Sequence, residues 1–562
     1  MGAVLLPSLR GYRRRWLSRD VVAGLTVWAV LVPEALAYAT IAGVSPVVGL
    51  YAAPPALVLY ALFGSSRHLV VGPMSATAAL SAAAVADVAT DGDVVALTAA
   101  LAVVTGVIAA VAGLCRLGFV SNFISEPVLK GFIIGMALTI IVGQLPKLFG
   151  VERGEGDFFE QLGHLVANLG DTSLTTLAVG LVSLAVVLAL RRFLPLVPGS
   201  LVAVALGVVA VALADLDDHG VAIVGPIDSG LPAFGLPDVS ARDWGRLAGA
   251  AVGVMFIGFA EGLGAAKTYA AREHYDIDAN RELIGLGAAN VGSGLSGGMV
   301  VNGSLSKTAV NGTAGARTQV SGLVVAVLTV VTLLLLTGLF EDLPEATLAA
   351  VVIAAVVELV DLRALGELRR AYTPQLRSIY GVAARPDLIA ALAALVGVLV
   401  FDTLPGLFIG IGASLFLLVY RASHPHIALL GRVPRTDTFA DLDRDPTARA
   451  VPGVLVVRPE TGLFFANAEA VRSHLQALVD DDTRVVVLDA ETVPSIDLTA
   501  VRALDQLADD LERRGVRFAI ARDVGQVRDI LTEAAGPTTR DRLYPTVRAA
   551  VAALAAEPAP EA

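Results

Sequence analysis

The sequence predicts an α-helical polytopic membrane protein of about fourteen spans, arranged as an inverted repeat of seven and seven, with a small α/β domain after it. Three observations support this prediction. Hydrophobic residues make up 55% of the 562 residues and charged residues only 17%, and the mean hydropathy is +0.72. Charge-poor apolar runs recur from Val21 to Tyr420, and each span needs ~20 apolar residues. Two interrupted segments about 230 positions apart resemble each other, which indicates an internal repeat.

The basic N-terminal segment, residues 1–19, is expected to be cytoplasmic. It contains RGYRRRWLSRD, and Lys and Arg collect in cytoplasmic loops beside membrane spans. The apolar run that follows leads directly into further spans and lacks an A-x-A cleavage site, so it predicts a first helix and not a removed signal. Fourteen crossings then place most basic loops inside, among them the run from Arg363 to Arg377, and return the C-terminal domain to the cytoplasm. Four basic residues fall outside against this rule: Lys147, Arg153, Arg242 and Arg246.

Two interrupted segments fall in the third and tenth spans: VVGPMSATAAL, from Val70 to Leu80, and VVNGSLSKTAV, from Val300 to Val310. A span that is broken by Gly and Pro is not a full helix, and unpaired backbone at membrane depth is tolerated only where it is buried or lines a cavity. Two half-helices that begin near the midplane would direct their N-termini, with free N–H groups and partial positive charge, toward each other. The sequence therefore predicts an anion site between them.

Small hydroxyl residues and one cation accompany these half-helix starts. The hydroxyls of Ser75, Thr77, Ser304, Ser306 and Thr308 are expected to cap the helices or to donate to a ligand, and Lys307 adds a positive charge. The alternative is that these are ordinary capped helix starts and that Lys307 sits in a loop near the membrane interface.

A second repeated pair supports the seven-plus-seven division. VPEALAYA in the first span matches FAEGLGAA in the eighth, with Glu34 and Glu261 about 227 positions apart. Because seven is odd, the second half must enter the membrane from the opposite side, as in many secondary transporters. A carboxyl group at membrane depth is costly and is by default a functional candidate. Either glutamate could exchange a proton during transport; the alternative is a protonated glutamate that only joins helices.

Longer segments resemble the sulfate permease (SulP) family of anion transporters over almost the whole chain. They are DVVAGLTVWAVLVPEALAYATIAGVSPVVGLYAA, LFGSSRHLVVGPMSA, NRELIGLGAANVGSGLSGGMVVNGSLSKTAVNGTAGARTQVSGLV, HPHIALLGRVPRTDTFADL and LFFANAEAVR. The resemblance implies an inverted repeat like that of uracil permeases, with a core domain that moves against a gate domain. It also implies a substrate anion between the third and tenth spans, and a homodimer.

Carried over by position, the resemblance implies that the anion meets the two half-helix starts and the first span. The residues are Met74, Ser75, Ala76, Ser304, Leu305, Ser306 and Lys307, with Glu34, Ala35 and Tyr38. Glu261 falls at an acidic position that symporters link to the driving cation. Lys307 stands where many relatives have Arg, so the charge is kept but the bidentate fork is lost. Ala265 stands where sodium-dependent bicarbonate members have Thr, which favours proton coupling.

Residues 437–558 resemble a STAS domain, the module shared with anti-sigma factor antagonists. A linker at 423–436 is expected to join it to a transport domain at 20–422. VLVVRPE, VVVLDA and RFAIARD predict strands that alternate with helices, which is typical of an α/β layer. The antagonists carry a phosphorylatable Ser after the Asp of a D-S-S/T motif. Here IDLTAV puts Leu498 at that place and leaves a hydroxyl only on Thr499, so switching by phosphorylation there is not expected.

The expected function is secondary active transport of an inorganic oxyanion, with sulfate as the leading substrate and a proton as the coupling ion. Alternatives are sodium- or proton-coupled transport of bicarbonate or a C4-dicarboxylate, anion exchange or channel-like conduction, a nucleobase permease, and a membrane sensor. The lipid bilayer of the inner (plasma) membrane is the expected location, with the N-terminus and C-terminal domain cytoplasmic. Cys115 is the single cysteine, and the histidines lack metal spacing, so no enzyme activity, metal, cofactor or nucleic-acid partner is expected.

Overall fold

The computed structural model describes most of the chain. The described residues are 6–9, 12–86, 88–89, 93–119, 125–154, 156–194, 197–227, 229–370, 385–401 and 403–556. Much of the predicted basic loop from Arg363 to Arg377, and the predicted end of the C-terminal domain at residue 558, lie outside them. The chain divides into a membrane unit, Met1–Arg369 with Asp387–Ser414, and a C-terminal unit, Arg370–Pro386 with Leu415–Ala562.

The helices numbered from the N-terminus follow the predicted spans. In chain order they are α1 (Leu17–Ile41), α2 (Pro46–Phe63), α3 (Ser75–Ala86), α4 (Val94–Leu114), α5 (Glu126–Phe149), α6 (Phe158–Ala167), α7 (Leu174–Phe193), α8 (Gly199–Ala214), α9 (Ala241–Glu273), α10 (Ala279–Leu295), α11 (Leu305–Thr313), α12 (Val320–Leu335), α13 (Glu345–Val356), α14 (Leu362–Arg370), α15 (Pro386–Phe401) and α16 (Thr403–Ser423).

Seven helices of the described chain are long and apolar enough to cross a membrane, namely α2, α4, α5, α7 and α9 with the stretches Arg14–Ile41 and Pro405–Ser423. Five shorter apolar helices are α3, α8, α12, α13 and α15. With α10 and the half-helix α11, they make up the fourteen segments that the sequence predicts. The remaining helices, α6 and α14, are short connections between spans. The predicted polytopic helical fold is confirmed.

The centre of the inverted repeat is a two-stranded antiparallel ladder. Strand β1 (Val70–Gly72) precedes α3 and strand β2 (Asn302–Ser304) precedes α11. Val70 pairs with Ser304 and Gly72 pairs with Asn302. Because the strands run in opposite directions, α3 and α11 leave the ladder in opposite directions. The backbone that Gly and Pro release from helical pairing is thus satisfied inside the protein, as the hydrocarbon environment requires.

Close packing of α4 against α10 depends on glycine. A Cβ at Gly106 would lie 2.5 Å from the carbonyl oxygen of Gly287, and a Cβ at Gly287 would lie 2.6 Å from the backbone nitrogen of Ala110. Both distances are far below van der Waals contact, so only glycine allows the two backbones to approach this closely. Small residues at such contacts are the usual way in which membrane helices associate.

The C-terminal unit contains a six-stranded sheet in the order β4-β3-β5-β6-β7-β8. The strands are β3 (Ile427–Arg432), β4 (Phe439–Asp441), β5 (Val454–Pro459), β6 (Val485–Asp489), β7 (Arg517–Ala521) and β8 (Leu543–Tyr544). β5 to β8 are parallel, and β3 is antiparallel to both its neighbours. β3 lies inside the 423–436 segment that was expected to be a linker, because its apolar run completes the sheet beside β5.

Helices connect and cover this sheet. They are α17 (Ala468–Leu478), α18 (Leu498–Arg513), α19 (Gly525–Ala534), α20 (Pro537–Arg540) and α21 (Val547–Ala556). Apolar faces of α17 and α18 bury Leu475, Leu504 and Leu511 against strand residues such as Val457 and Val486. The strands predicted from VLVVRPE, VVVLDA and RFAIARD are β5, β6 and β7, so the predicted α/β fold is confirmed.

Candidate functional site

The two half-helix starts hold most of the predicted anion-site residues. Ser75 and Ala76 open α3 and are buried, while Met74 directly precedes it. Ser304 is the N-cap of α11, and its side-chain oxygen accepts a hydrogen bond from the backbone N–H of Lys307 over 3.2 Å. This cap satisfies one of the free donors of the helix end.

Lys307 is the most enclosed charge of the site. Its side chain is 1% exposed, and Nζ lies 2.7 Å from Glu34 Oε2, on a carboxylate that is 11% exposed. Nζ also donates to the carbonyl oxygen of Pro73 over 3.2 Å and lies 5.0 Å from the ring centroid of Tyr38. A buried ammonium group needs such partners, because an unpaired charge in this environment costs several kcal/mol. Lys307 therefore joins α11, α1 and the residues that precede α3.

A cavity of about 320 Å³ lies beside this cluster. Of the predicted residues, Glu34 and Ser306 line it, and Ser306 is exposed at the start of α11. Ala35 and Tyr38 are buried in α1 beside the cluster, with Tyr38 facing Lys307, and Leu305 is 54% exposed. Two of the predicted residues thus line the cavity, and the others lie near it without lining it.

The opposite wall of the same cavity holds polar residues that the sequence did not single out as site residues. They include Arg191 at the end of α7 and Ser200 at the start of α8, while Thr26 lines the cavity from α1, the helix that carries Glu34. Arg191 donates from a terminal guanidinium nitrogen to the carbonyl oxygen of Ala354 over 2.9 Å. Sequence spacing could not single out Arg191 as a site residue, because the approach of α7 to α1 and α11 is visible only in three dimensions. The planar guanidinium group on this wall can contact two oxygens of an oxyanion at once.

Glu261 is joined to the ladder and not to Lys307. Asn302 of β2 donates from Nδ2 to Glu261 Oε2 over 3.4 Å, and Asn302 is 1% exposed. Gly262 makes this contact possible, because a Cβ there would lie 2.9 Å from Asn302 Oδ1. Ala265, one turn further along α9, is buried and apolar. Glu261 thus contacts β2, the strand that leads directly into α11, and reaches the predicted anion site through Asn302.

A fully buried carboxylate, Glu282, holds the loop that precedes β1. Its Oε2 accepts from the hydroxyl of Tyr60 over 2.7 Å, and its Oε1 accepts from the backbone and hydroxyl of Ser65 and the backbone of Ser66 over 2.7–3.1 Å. Four donors balance the buried charge, so this cluster positions the loop and does not need a ligand. The sequence did not single out Glu282, since a glutamate near the start of a span is common.

The C-terminal unit places the IDLTAV motif at the start of α18. Asp497 caps this helix by accepting from Ala500 N–H over 2.8 Å and also accepts from Phe465 N–H over 2.8 Å. Leu498 is 51% exposed, and Thr499 is exposed beside it. In both units, the described residues contain no group of three or more His, Cys, Asp or Glu side chains able to hold a metal ion.

Two family models match the chain. Residues 17–376 match the sulfate permease family, and residues 445–550 match the STAS domain. A probable sulfate transporter of Mycobacterium tuberculosis is 39% identical over 554 residues and 97% of each chain. Probable sulfate transporter 4.2 of Arabidopsis thaliana is 30% identical over 538 residues, which cover 91% of this chain and 77% of the relative.

Solved structures share the fold at low sequence identity. The murine Solute Carrier 26 family member A9 anion transporter in the inward-facing state has a TM-score of 0.88 at 23% identity, over 98% of this chain and 94% of the other. The transmembrane domain of the cyanobacterial bicarbonate transporter BicA has a TM-score of 0.61 at 24% identity, over 71% of this chain and 98% of the other.

Proposed function

This chain belongs to the sulfate permease family and carries a C-terminal STAS domain, and from that premise we propose that it is a secondary active transporter of sulfate or a similar inorganic oxyanion. The family consists of transporters and not enzymes, as the sequence predicted. The names of the sulfate transporters from Mycobacterium tuberculosis and Arabidopsis thaliana support sulfate as the substrate.

The observation that carries this proposal is the meeting of two half-helix starts around buried Lys307. The free N–H groups of α3 and α11 and their partial positive charges favour an anion without a large formal charge. The cavity of about 320 Å³ beside Glu34 and Ser306 offers room for an oxyanion with part of its hydration shell. We infer that Ser75, Ala76, Ser306 and Lys307 bind the anion, with Met74, Ser304, Leu305, Ala35 and Tyr38 completing the shell.

Glu34 and Lys307 determine how much charge the anion meets. As an ion pair over 2.7 Å they are together neutral, so an entering anion competes with the Glu34 carboxylate for Lys307. The competition comes from the negative charge of the ionised Glu34 carboxylate, so a proton on Glu34 would remove it. Binding of the anion and occupation of Lys307 by Glu34 are therefore expected to exclude each other in part.

Coupling to a proton is assigned to Glu261. Its contact with Asn302 over 3.4 Å links the carboxyl group to β2, which leads directly into α11. A change of its charge would alter the hydrogen bond to Asn302 and thereby the position of the half-helix start. Buried Ala265 supplies no oxygen ligand at the next turn of α9, which favours a proton over sodium.

Uptake of radiolabelled sulfate into proteoliposomes tests this function. Inward proton gradient, inward sodium gradient and no gradient are compared, with unlabelled bicarbonate, chloride and succinate as competitors. Proton-driven sulfate uptake is expected. Sodium-driven bicarbonate movement without sulfate uptake would overturn the substrate and the coupling ion together, and flux without either gradient would indicate exchange or conduction.

We also propose that the protein is a homodimer in the plasma membrane with its N-terminus and STAS domain in the cytoplasm. The basic segment before α1 supports this orientation. Protease digestion of sealed inside-out vesicles should remove the STAS domain, and digestion of right-side-out vesicles should not.

Light scattering of the purified protein should give twice the chain mass of 57.8 kDa after correction for detergent.

A further inference from the structure

A second cavity, of about 490 Å³, lies at the other end of α3 from the half-helix start. One wall is a stripe of alanines on α3, Ala79, Ala82, Ala83 and Ala86, whose spacing places them on one helix face. The opposite wall comes from the C-terminal part of α5 and the segment that leads into α6. Since α3 runs away from the ladder toward the predicted outside, this cavity lies on the predicted outer side of the ladder.

Gln144 is the feature of this cavity that most needs a ligand. Its side chain is 4% exposed and lines the cavity, and its Oε1 has no hydrogen-bond partner. A buried amide that is left without partners costs about 1–3 kcal/mol, so such groups are normally satisfied by protein, water or a bound molecule. The unpartnered atom is an acceptor, which an anion does not satisfy. Rotation by 180° about the last side-chain bond exchanges the oxygen and the nitrogen and presents the amide N–H donors there instead, and this is the orientation that an anion requires.

Arg153 brings a positive charge to the same cavity. It is one of the basic residues that the charge rule left unexplained on the outside, and it makes no ion pair with a described residue. Among the described lining residues, the other charged group is Asp157, whose carboxylate is engaged as the N-cap of α6 by the N–H groups of Phe159 and Glu160. Gln161 donates to the carbonyl oxygen of Gly156 over 2.7 Å, and Thr139 donates to that of Gly135 over 3.2 Å.

We propose that this cavity is an outer binding site for a small inorganic oxyanion, held by the Arg153 guanidinium and the Gln144 amide. The inference rests on the proposed function, because the ligand belongs to the class proposed as substrate. The volume accommodates an oxyanion with several waters, each of which needs about 30 Å³. The alanine stripe leaves α3 accessible from Ala86 down to Ala79, one turn from Ser75. An anion bound there is already beside the helix that it must follow to the central site.

Charge-selective labelling of a single cysteine tests the site without measuring transport. Cys115 is the only cysteine, so Cys115→Ser gives a background without thiols, into which Ala83→Cys is introduced on the alanine stripe so that Gln144 and Arg153 stay intact. The introduced cysteine is labelled with two methanethiosulfonate reagents, the anionic sulfonatoethyl and the cationic trimethylammonioethyl compound. The second-order rate constant of each reagent is divided by the rate constant of the same reagent with a small free thiol in solution. The anionic reagent should be favoured about five- to tenfold, because the two reagents differ by two charges beside Arg153. Sulfate should slow its reaction.

Matched variants make the result decisive. Arg153→Gln in the same background should abolish the preference, and Leu169→Cys, an exposed position outside the cavity, should show none. Ala82→Cys, at the neighbouring position of the stripe, repeats the test if the Ala83→Cys variant does not give a monodisperse protein. Equal normalised rates of the two reagents with the Ala83→Cys or Ala82→Cys variant, or no protection by sulfate, would overturn the proposal. Anion preference with protection in a protein that transports no oxyanion would retain the site and refute the proposed function.

Discussion

Glu34 and Lys307 form a buried ion pair over 2.7 Å that connects the two halves of the inverted repeat. Glu34 lies on α1 of the first half, and Lys307 lies in the first turn of α11 of the second half. Their separation in sequence is large, yet they meet at the place where the half-helix starts face the cavity. The pair sets the charge of the proposed anion site, and the first predictions follow from it.

Lys307→Ala is expected to weaken sulfate binding at least tenfold, because the anion loses a charge-assisted hydrogen bond worth about 1.5–3 kcal/mol. Scintillation-proximity binding of radiolabelled sulfate to purified protein measures this loss. The same change leaves the Glu34 carboxylate buried without its partner, at a cost of about 3–5 kcal/mol. Arg246→Ala, on an exposed basic residue of α9, serves as control and should bind sulfate normally. Unchanged affinity in the Lys307 variant would remove this residue from the site.

Glu34→Gln in combination with Lys307→Ala separates stability from binding. The double variant no longer buries an unpaired charge, so its thermal stability should recover relative to Lys307→Ala, while sulfate binding stays weak. The single variant Glu34→Gln should bind sulfate more tightly than the wild type, since the neutral amide competes less for Lys307. Melting temperatures and binding isotherms of the four proteins form a double-mutant cycle. Additive effects would contradict a direct interaction between the two residues.

Glu261→Gln is expected to flatten the dependence of sulfate uptake on external pH while leaving sulfate binding within about twofold of the wild type. The reason is that Glu261 contacts Asn302 and not the proposed anion shell. Glu273→Gln is the matched control, because it makes the same change on the same helix at a residue that pairs with Arg317 over 3.1 Å. A Glu261 variant with the full pH dependence would move the coupled proton to another group, with Glu34 as the next to test.

The repeat and its half-helices could be predicted from the sequence because each produces a short, recognisable pattern of residues. Gly and Pro before α3 and Gly before α11 interrupt apolar runs, and the shared offset of two pairs links the halves. The ladder between β1 and β2 could not be predicted, because two strands of three residues carry no periodicity of their own. Their pairing is determined by the fold around them.

The side-chain partners of the site illustrate the same limit. The resemblance brought Glu34 and Lys307 to one region, but their ion pair, which makes the site neutral, is a matter of distance in three dimensions. Arg191 and Gln144 were not singled out as site residues, because each lies on a helix of ordinary apolar composition. Similarly, β3 was expected to be linker because a short apolar run before a polar stretch does not reveal that a sheet edge is available.

Gly287→Val is expected to destabilise the membrane unit, because its Cβ would lie 2.6 Å from the backbone nitrogen of Ala110. Overpacking of this kind costs about 1–3 kcal/mol, and here the opposing atom is backbone and cannot rotate away. Thermal unfolding in detergent, followed by size-exclusion chromatography, measures the loss. Gly249→Ala on α9 is the control, since nothing lies within 4 Å of its added Cβ, and helix propensity favours Ala by about 1 kcal/mol. Equal melting temperatures of the two variants would contradict the close contact.

Arg191→Gln is expected to weaken the interaction of sulfate with the cavity beside Glu34 and Ser306, because Arg191 contributes the cationic side chain of the opposite wall. Sulfate efflux from proteoliposomes, measured at several internal concentrations, should show a KM raised about tenfold or more if a charge-assisted contact is lost. Arg192→Gln is a close control, since the neighbouring guanidinium is exposed and does not line the cavity. Arg191→Lys keeps the charge and should recover part of the affinity, but not the bidentate geometry. If the variants at 191 and 192 behaved alike, the contribution would come from the general positive charge at the end of α7. A specific rise in KM at 191 would instead identify the guanidinium as part of the anion's path between α7 and α11.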